Sequence, residues 1–411
     1  MALAGDQITP IAPRGIGRRI GELRKRLEVA HRRLLIRLLS LATRRRKTAP
    51  DWDARPYDVL FLRPDRVGDM IISTGLLRAI ATSHDTIRLH VLATPANAGV
   101  LENNPHVASV VPFHRRKRPW TWPRFVRDVR RSRYDVVVDC MVFSPSLTLL
   151  LLMVVSGARE RVGIGGRAND AVYSLPVPPG DRRAHHIEQL GALAAAFGVD
   201  VAAFDWQPEI VLSSAERVAA ARLWQQTGDG RGSGDGNGAR VLVNLSAGKE
   251  RCRWPAERYV AVLRETLARR PGLCVLVIGM PRDASALREI AVATGCATAH
   301  PGLRETLALV ESADLLLTPD TGLVHAASAF RTPVVAMYHR GAATHWGPYR
   351  TVSRVVLSGE RTLRSLQPAP VVAALNELLD ALASRAPGRP NRPDGSAALA
   401  GQLREPSPSA G

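Results

Sequence analysis

An α/β fold built from two similar halves is predicted by three features of the sequence. Runs of valine, isoleucine and leucine alternate with alanine-rich stretches of helical spacing, which favours parallel strands connected by helices. The length of 411 residues suits two domains of ordinary size. Each half also contains an apolar run that leads through a tight turn into a helix, the kind of junction at which open α/β sheets bind ligands. Two such halves facing each other would form a cleft for two substrates.

Composition divides the chain into five segments. These are a basic amphipathic extension at 1–54, a first α/β domain at 55–205, a linker with a Gly-rich loop at 206–239, a second α/β domain at 240–385, and a tail at 386–411. The tail is rich in proline, glycine and serine and is predicted to be disordered. Strands are expected near 58–63, 87–92 and 135–140 in the first domain, and at 240–244, 273–278, 315–318 and 334–338 in the second.

The first strand–turn–helix junction lies at the start of the first domain. A strand-like run at 58–63 leads into the turn Pro64-Asp65-Arg66-Val67-Gly68-Asp69, and an amphipathic helix follows at 70–80. The second junction lies in the other half, where Leu315–Thr318 leads into Pro319-Asp320-Thr321-Gly322 and a second helix. The unpaired N–H groups and the dipole at such a helix start favour a phosphate. Asp320 beside it would suit sugar hydroxyls, or would act only as an N-cap.

The order of motifs resembles glycosyltransferase family 9, which contains the lipopolysaccharide heptosyltransferases. The amino-terminal signature of that family is similar to Arg63–Asp69 followed by Thr74–Ala79. Its central motif is similar to Asn244–Gly248 with Arg253–Tyr259. Its third block is similar to Pro319–His325, Thr332–Tyr338 and Trp346–Tyr349. The motifs cover roughly residues 57–385 in the family's order, and the resemblance implies a GT-B fold of two Rossmann-like domains around a central cleft.

The resemblance implies roles for the residues at the two junctions. Asp69 matches the aspartate proposed as the general base of an inverting transfer, although it could instead be a helix N-cap. The backbone N–H groups of Thr321 and Gly322 would hold the donor diphosphate, Asp320 would contact the donor sugar, and His325 would face the phosphate from one turn into the helix. Gly68, Asp65 and Arg66 are assigned to the acceptor side. Asp65 is a second candidate for the general base, and it stands where the family usually has serine or another small residue, which points to a different acceptor.

The central motif supplies the remaining donor-binding candidates: Ser246, Lys249, Arg253 and Asp283. The family commonly has a lysine where this sequence has Cys252, and the surrounding cations could substitute for it with a different reach and geometry. Asp283 would bind the nucleotide ribose or would be a plain surface acid. The family also has a serine or threonine upstream of the Cys252 position, where this sequence has Ala247-Gly248. The changes at Cys252 and at Ala247-Gly248 both leave the identity of the donor open.

Neither a metal nor a cofactor is expected. The four cysteines, Cys140, Cys252, Cys274 and Cys296, are scattered without zinc-site spacing, and a reducing cytosol fits them best. No DxD-type metal motif stands near either junction, and a phosphate held by helix N-termini and cations needs no divalent ion. The pair His185-His186 precedes a helical run and is expected to face solvent at the start of that helix; the alternative is that His186 contacts the acceptor or ligates a metal.

The positive charge is concentrated at the amino terminus. The net charge is +19, and residues 1–50 hold 13 lysines and arginines against three acids, which gives +10 for that segment. Residues 16–47 combine this charge with apolar residues at steps of three and four, the pattern of a helix that binds an anionic membrane surface. A solvated helix, a helix packed on the enzyme, or a nucleic-acid arm would share the pattern. Basic clusters at 115–118 and 127–133 would form a solvated face, or would suit an anionic lipid-linked acceptor or single-stranded nucleic acid.

The expected function is an inverting, metal-independent glycosyl transfer from a nucleotide sugar, with ADP-heptose as the expected donor, to a lipid-linked glycan such as lipopolysaccharide core. No signal peptide is apparent and the apolar run at 147–155 is too short to span a bilayer, so the expected location is the inner face of the cytoplasmic membrane. No nucleic-acid partner is expected. The alternatives are the same fold using another nucleotide sugar for O-antigen, capsule or glycolipid, and a non-catalytic basic binding module.

Overall fold

The computed structural model describes residues 34–41, 48–114, 121–142, 146–166, 168–227, 238–341 and 343–384. Within these residues the chain forms two six-stranded sheets in which every pair of neighbouring strands is parallel. The prediction of two Rossmann-like halves is therefore confirmed. Most of the basic extension, the basic cluster at 115–118, most of the Gly-rich loop and the tail at 386–411 lie outside the described residues.

The first sheet has the strand order β3-β2-β1-β4-β5-β6. Because β2 and β4 flank β1 on opposite sides, the chain reverses direction across the sheet at β1, and the crevice for a ligand opens beside its carboxyl end. The strands are β1 Tyr57–Leu62, β2 Ile87–Ala93, β3 Ser109–Pro112, β4 Val136–Asp139, β5 Glu160–Ile164 and β6 Leu175–Val177.

The second sheet repeats this topology with the order β12-β11-β10-β7-β8-β9. Its reversal lies between β7 and β10, so the ends of these two strands form the second crevice. The strands are β7 Arg240–Asn244, β8 Cys274–Ile278, β9 Ala297–Ala299, β10 Leu315–Pro319, β11 Val334–Tyr338 and β12 Ser353–Leu357.

Helices cover the faces of both sheets, as fully buried parallel strands require. The α-helices are α1 Val67–Ala81, α2 Trp122–Arg131, α3 Leu147–Val155, α4 His186–Gly191, α5 Ser214–Gln225, α6 Ala256–Arg269, α7 Ala284–Thr294, α8 Leu303–Ser312, α9 Gly322–Phe330, α10 Ala343–Trp346 and α11 Pro368–Ala383. Short 3₁₀ helices lie at Ala98–Leu101, Ala168–Val172, Ala192–Phe197, Glu250–Cys252, Pro281–Asp283 and Leu363–Ser365.

Helix α1 begins three residues earlier than the sequence predicted. Arg66 is its N-cap in an extended conformation, so Gly68 and Asp69 belong to the first helical turn rather than to the preceding loop. An acidic residue in the first turn is stabilised by the helix dipole, which explains why Asp69 does not end the helix. Its backbone carbonyl also accepts a hydrogen bond from the Ser73 hydroxyl at 2.7 Å.

The segment predicted as a linker contains helix α5, which packs on the second half of the molecule. A capping box formed by Ser213 and Glu216 begins this helix. Trp224 then donates its indole N–H to the Ser312 hydroxyl at 2.9 Å, and Arg304 of α8 forms an ion pair with Glu216 at 2.6 Å. Arg304 also donates to the Gly99 carbonyl of the first half at 3.0 Å, so this arginine connects the two halves.

The apolar run at 147–155 forms the short helix α3, whose residues Leu150 and Leu152 are buried. The run therefore contributes a partly buried helix to the first domain, in agreement with the prediction that it is too short to span a bilayer. No helix in the described part of the chain combines the length and the apolar character needed to cross a membrane.

Candidate functional site

The two predicted junctions meet at the amino-terminal ends of α1 and α9. Gly68 in the first turn of α1 lies against Gly322, the first residue of α9. A Cβ atom added to Gly68 would come within 3.0 Å of the Gly322 Cα, and one added to Gly322 would come within 2.9 Å of the Gly68 nitrogen. Only glycine at both positions allows the helix ends to approach this closely, and the contact brings the acceptor-side and donor-side candidates together.

A buried arginine, Arg63, organises the acceptor side. It follows β1 directly, its side chain is 2% exposed, and its Nη1 atom donates to the Cys140 carbonyl at 2.7 Å. Its Nε atom donates to the Asp69 carbonyl at 3.0 Å. The guanidinium lies 3.3 Å from an Asp65 carboxylate oxygen and 3.8 Å from one of Asp69. Two carboxylates therefore share one buried cation at the mouth of the first sheet.

The two carboxylates differ in their environment. Burial raises the pKa of Asp65 to about 6, and the neighbouring Asp69 charge adds to this shift while Arg63 opposes it. The alternative of Asp69 as an N-cap is wrong, because Arg66 occupies that position. Arg66 itself is exposed, so its guanidinium is accessible at the rim of the site.

Several polar atoms at the junction are buried without a hydrogen-bond partner among the described residues. They include the Arg63 Nη2, the Asp65 Oδ1 and the His325 Nδ1 atoms. Such atoms are rare in folded proteins because each costs desolvation free energy that no hydrogen bond repays. Their occurrence around one glycine contact is typical of a site whose partners come from a ligand.

On the donor side, the start of α9 is fixed by a hydroxyl network. Thr321 is the N-cap of α9, and its hydroxyl accepts a hydrogen bond from the Leu323 N–H at 3.3 Å. The same hydroxyl lies 3.1 Å from that of Thr318 and 3.4 Å from the Asn244 amide nitrogen. The alternative of Asp320 as the cap is therefore wrong, and its carboxylate is left to contact the Cys252 thiol at 3.6 Å.

His325 is neutral at physiological pH. Burial, and to a smaller extent the nearby His185 and His186 rings, lowers its pKa to about 3. Its ring packs against the contact between α1 and α9, since a Cβ atom added to Gly68 would lie 3.1 Å from His325 Cδ2. A neutral imidazole here can donate or accept a hydrogen bond but adds no positive charge to the site.

The prediction that His185-His186 faces solvent is wrong. The His185 ring accepts a hydrogen bond from the Ile187 N–H at 3.2 Å, and its Nε2 atom lies 3.0 Å from the Gly347 carbonyl of the other half. His186 is 8% exposed and its ring lies 4.0 Å from that of Trp346. Both histidines therefore belong to the interface between the halves, which local spacing does not reveal.

The central-motif candidates gather at the ends of β7 and β8. Asp283 is 7% exposed, so the surface-acid alternative is wrong. The Ser246 hydroxyl donates to its carboxylate, and Arg253 forms an ion pair with it at 3.6 Å. Arg253 and Asp283 line a pocket of about 320 Å³, a size that suits part of a nucleotide. Lys249 is exposed beside this group.

This pocket does not extend to the junction, since neither Asp69 nor Asp320 lines it. The candidates thus form two adjacent groups rather than one enclosed cavity. One group surrounds the glycine contact, and the other surrounds Asp283.

Two residues near the site were not assigned a role from the sequence. Arg63 belongs to the segment that resembles the amino-terminal signature of the family. A charged residue directly after an apolar strand is the signal that indicates a role at the site. His339 follows β11, and its ring nitrogen accepts a hydrogen bond from the Arg251 Nε atom at 3.1 Å. No local pattern distinguishes His339, because only the strand order brings β11 beside β10.

Comparisons with known proteins agree with this arrangement. The model of glycosyltransferase family 9 (heptosyltransferase) matches residues 122–369, more than half of the chain. Lipopolysaccharide heptosyltransferase 2 of Salmonella typhimurium is 25% identical over 319 residues, which are 72% of this chain and 87% of that protein. The sequence similarity favours the enzyme over a non-catalytic binding module.

Solved structures show the same fold. The family 9 glycosyl transferase of Veillonella parvula has a TM-score of 0.69 at 18% identity, covering 81% of this chain and 99% of that one. The ADP-heptose lps heptosyltransferase II of E. coli has a TM-score of 0.62 at 21% identity, covering 79% and 99%. The architecture is therefore GT-B, and the chain belongs to glycosyltransferase family 9.

Proposed function

We propose that this glycosyltransferase moves heptose from ADP-heptose to a lipid-linked glycan such as lipopolysaccharide core, with inversion at the anomeric carbon and without a divalent ion. The observation that carries the proposal is the contact between Gly68 and Gly322, where a Cβ would meet the opposite backbone at about 3 Å. This contact brings the start of α1, which carries the Asp69 carboxylate, against the start of α9, whose free N–H groups suit a phosphate.

Asp69 is the base in this mechanism. Its carboxylate takes the proton of the acceptor hydroxyl as the acceptor oxygen forms its bond to the anomeric carbon. The bond from that carbon to the diphosphate breaks on the opposite face, and ADP leaves with the electron pair. Arg63, which lies 3.8 Å from one Asp69 oxygen, orients the carboxylate before the reaction.

The leaving diphosphate develops negative charge at the start of α9. The N–H groups of Thr321 and Gly322 and the positive end of the helix dipole stabilise this charge. The hydroxyl network that holds the Thr321 side chain means that these donors need little reorganisation when the charge appears. The Asp320 carboxylate accepts hydrogen bonds from the donor sugar, and Asp283 from the ribose.

The identity of the donor rests on the relatives, because the E. coli structure is named as an ADP-heptose enzyme and the Salmonella protein as a lipopolysaccharide heptosyltransferase.

A second candidate function, transfer from another nucleotide sugar to a different glycan, is favoured by one observation. Cys252, which is buried, stands where the family commonly has a lysine. A neutral thiol there removes a charge that would otherwise face the diphosphate.

The test is calorimetric binding of ADP, UDP, GDP and CDP in the presence of EDTA, followed by transfer assays with ADP-heptose and heptose-deficient lipopolysaccharide. We expect ADP to bind most tightly. The Asp69→Asn variant should bind ADP like the native protein and lose about 10²–10⁴-fold in turnover. The Asp85→Asn variant, which changes an exposed carboxylate in the turn before β2, is the matched control and should keep full turnover.

Each other outcome has a definite meaning. A preference for UDP, GDP or CDP would keep the fold and the reaction class but reject ADP-heptose as donor. Full turnover by Asp69→Asn would reject Asp69 as the base, and turnover that disappears with EDTA would reject transfer without a divalent ion.

Attachment to the inner face of the cytoplasmic membrane is the second part of the proposal. In the described part of the basic extension, residues 34–40 are helical and Ile36 is buried against the first domain. The opposite side presents Leu34, Leu38 and Leu41, which are 56%, 54% and 83% exposed. One side of this helix therefore packs on the enzyme, while three leucines and the exposed Arg37 remain available to an anionic lipid surface.

Vesicle sedimentation tests this part. The native protein should bind phosphatidylglycerol vesicles and bind phosphatidylcholine vesicles weakly, because both charge and apolar contact contribute. The double variant Leu38→Gln, Leu41→Gln should lose most of this binding. Val292→Gln, at an 89% exposed position on α7, is the matched control and should not. Equal binding by all three proteins would reject the leucine surface.

A further inference from the structure

Three residues on neighbouring strand ends of the second sheet bring a thiol, a carboxylate and an imidazole together. Asp320 follows β10, His339 follows β11, and Cys252 lies in the segment after β7. Since β11, β10 and β7 are adjacent in the sheet, their carboxyl ends converge. One ligand atom from each residue lies within 4.8 Å of the other two.

From this convergence we infer that Cys252, Asp320 and His339 form a binding site for a soft divalent cation, of which Zn²⁺ is the best match. Thiolate, imidazole and carboxylate are the ligands that zinc takes in proteins, and a three-residue set leaves a fourth position for water or a substrate oxygen. The Cys252 sulfur lies 3.6 Å from an Asp320 oxygen, a separation compatible with two ligands of one tetrahedral ion.

The surroundings of His339 favour a ligand role for its ring. The Nδ1 atom lies 3.2 Å from the Arg340 carbonyl, and an N–H there would donate to that carbonyl. The Nε2 atom then carries the free electron pair and accepts the hydrogen bond from Arg251. A second hydrogen bond of this kind orients metal-binding histidines in general. Arg251 thus donates to the nitrogen that would bind the ion, and this hydrogen bond must break when the ion binds.

The charge balance also suits a dication. Binding of Zn²⁺ would release the Cys252 thiol proton to solvent, and the resulting thiolate and the Asp320 carboxylate would together neutralise the ion, while the imidazole remains neutral. Mg²⁺ and Ca²⁺ prefer sets of oxygen ligands and would not accept the thiolate, so the site discriminates between classes of metal.

The consequence for the enzyme is inhibition. An ion bound through the Asp320 carboxylate would occupy the group that contacts the donor sugar, so the cation and the nucleotide sugar would compete. This consequence rests on the proposed function, whereas binding of the cation does not.

Cobalt(II) absorption spectroscopy tests the binding, on a protein without an affinity tag and with a phosphine reductant. We expect a thiolate-to-cobalt charge-transfer band that Zn²⁺ displaces. Cys252→Ser should abolish the band, and His339→Gln should weaken cobalt binding at least tenfold. Cys274→Ser, which changes a half-buried cysteine on β8, is the matched control and should leave the band intact.

A further variant is specific to this geometry. Arg251→Gln removes the donor that occupies the His339 Nε2 atom and one nearby positive charge, so it should tighten cobalt binding several-fold. A band absent from the native protein, or unchanged in Cys252→Ser, would overturn the site without affecting the proposed transfer reaction.

Calorimetric titration of ADP-heptose tests the competition. Saturating Zn²⁺ should weaken ADP-heptose binding to the native protein and leave it unchanged in Cys252→Ser. Cobalt binding through Cys252 with unaltered ADP-heptose affinity would overturn the inhibitory role. Absence of ADP-heptose binding in metal-free buffer would instead overturn the proposed function, so the two failures can be distinguished.

Discussion

Replacing Asp65 by asparagine should stabilise the protein above about pH 6. The carboxyl has an ordinary pKa of 3.8, and burial raises it to about 6 in the folded state. A carboxyl whose folded pKa is raised holds its proton more tightly in the native protein than in the unfolded chain. Its contribution to stability is therefore fully present below pH 3.8 and is lost as the pH rises through about 6.

The size of the effect follows from the shift. The difference between 3.8 and about 6 corresponds to about 3 kcal/mol at roughly 1.36 kcal/mol per pKa unit. The side chain is 16% exposed, so solvent screening removes little of this value. The Asp65→Asn variant keeps the shape of the side chain but cannot ionise. Its free energy of unfolding, relative to that of the native protein, should rise by about 3 kcal/mol from pH 3.5 to pH 8.

The assay is urea unfolding of both proteins at paired pH values, followed by tryptophan fluorescence. Taking the difference at each pH removes the titration of all groups that the two proteins share. Asp85→Asn, at an exposed position of the same domain, is the matched control for loss of one carboxylate. A difference between Asp65→Asn and native protein that stays flat across this range, or falls with rising pH, would refute the argument from burial.

Three further changes test the junction. Gly322→Ala should destabilise the protein by about 1–3 kcal/mol in a thermal melt, because the new Cβ would meet the Gly68 backbone at 2.9 Å. Gly359→Ala, where nothing lies within 4 Å, should change little. Thr321→Ala should cost about 0.5–2 kcal/mol through the lost N-cap, measured by urea unfolding, and Thr321→Ser should restore most of it. Arg63→Met should cost about 3–5 kcal/mol by the same measurement, since it leaves buried carboxylates without their cation.

Local signals in the sequence were enough to predict seven of the twelve strands in the described part of the chain, together with the two junctions. A short continuous apolar run such as Leu315–Leu317 favours a buried strand when helices flank it, and a tight Asp-Thr-Gly turn marks where the strand ends. The observed strands agree with the predicted ones within a residue or two at each end. Sequence patterns place the start of α1 too late because Val67, Gly68 and Asp69 all have low helix propensity and follow Pro64, so the segment resembles a turn.

The contacts between distant segments could not be predicted in the same way. Asp283 was considered a possible surface acid because nothing in its own segment shows that Ser246 and Arg253 lie beside it. His185 and His186 were expected in solvent because their partners belong to the other half of the molecule. Such neighbours depend on strand order and on how the two halves pack, and neither is a property of a short stretch of sequence.

The glycine contact also explains why acidic residues are concentrated beside the two helix starts. Each helix N-terminus carries roughly half a positive charge, so two of them in contact repel each other unless anions lie nearby. Asp65 and Asp69 supply negative charge on the α1 side, and Asp320 supplies it beside α9. A diphosphate at the start of α9 would reduce the same repulsion further. Binding of the donor would therefore favour the closed arrangement of the two halves in which Asp69 faces the sugar, and the charge that binds the nucleotide would also position the base.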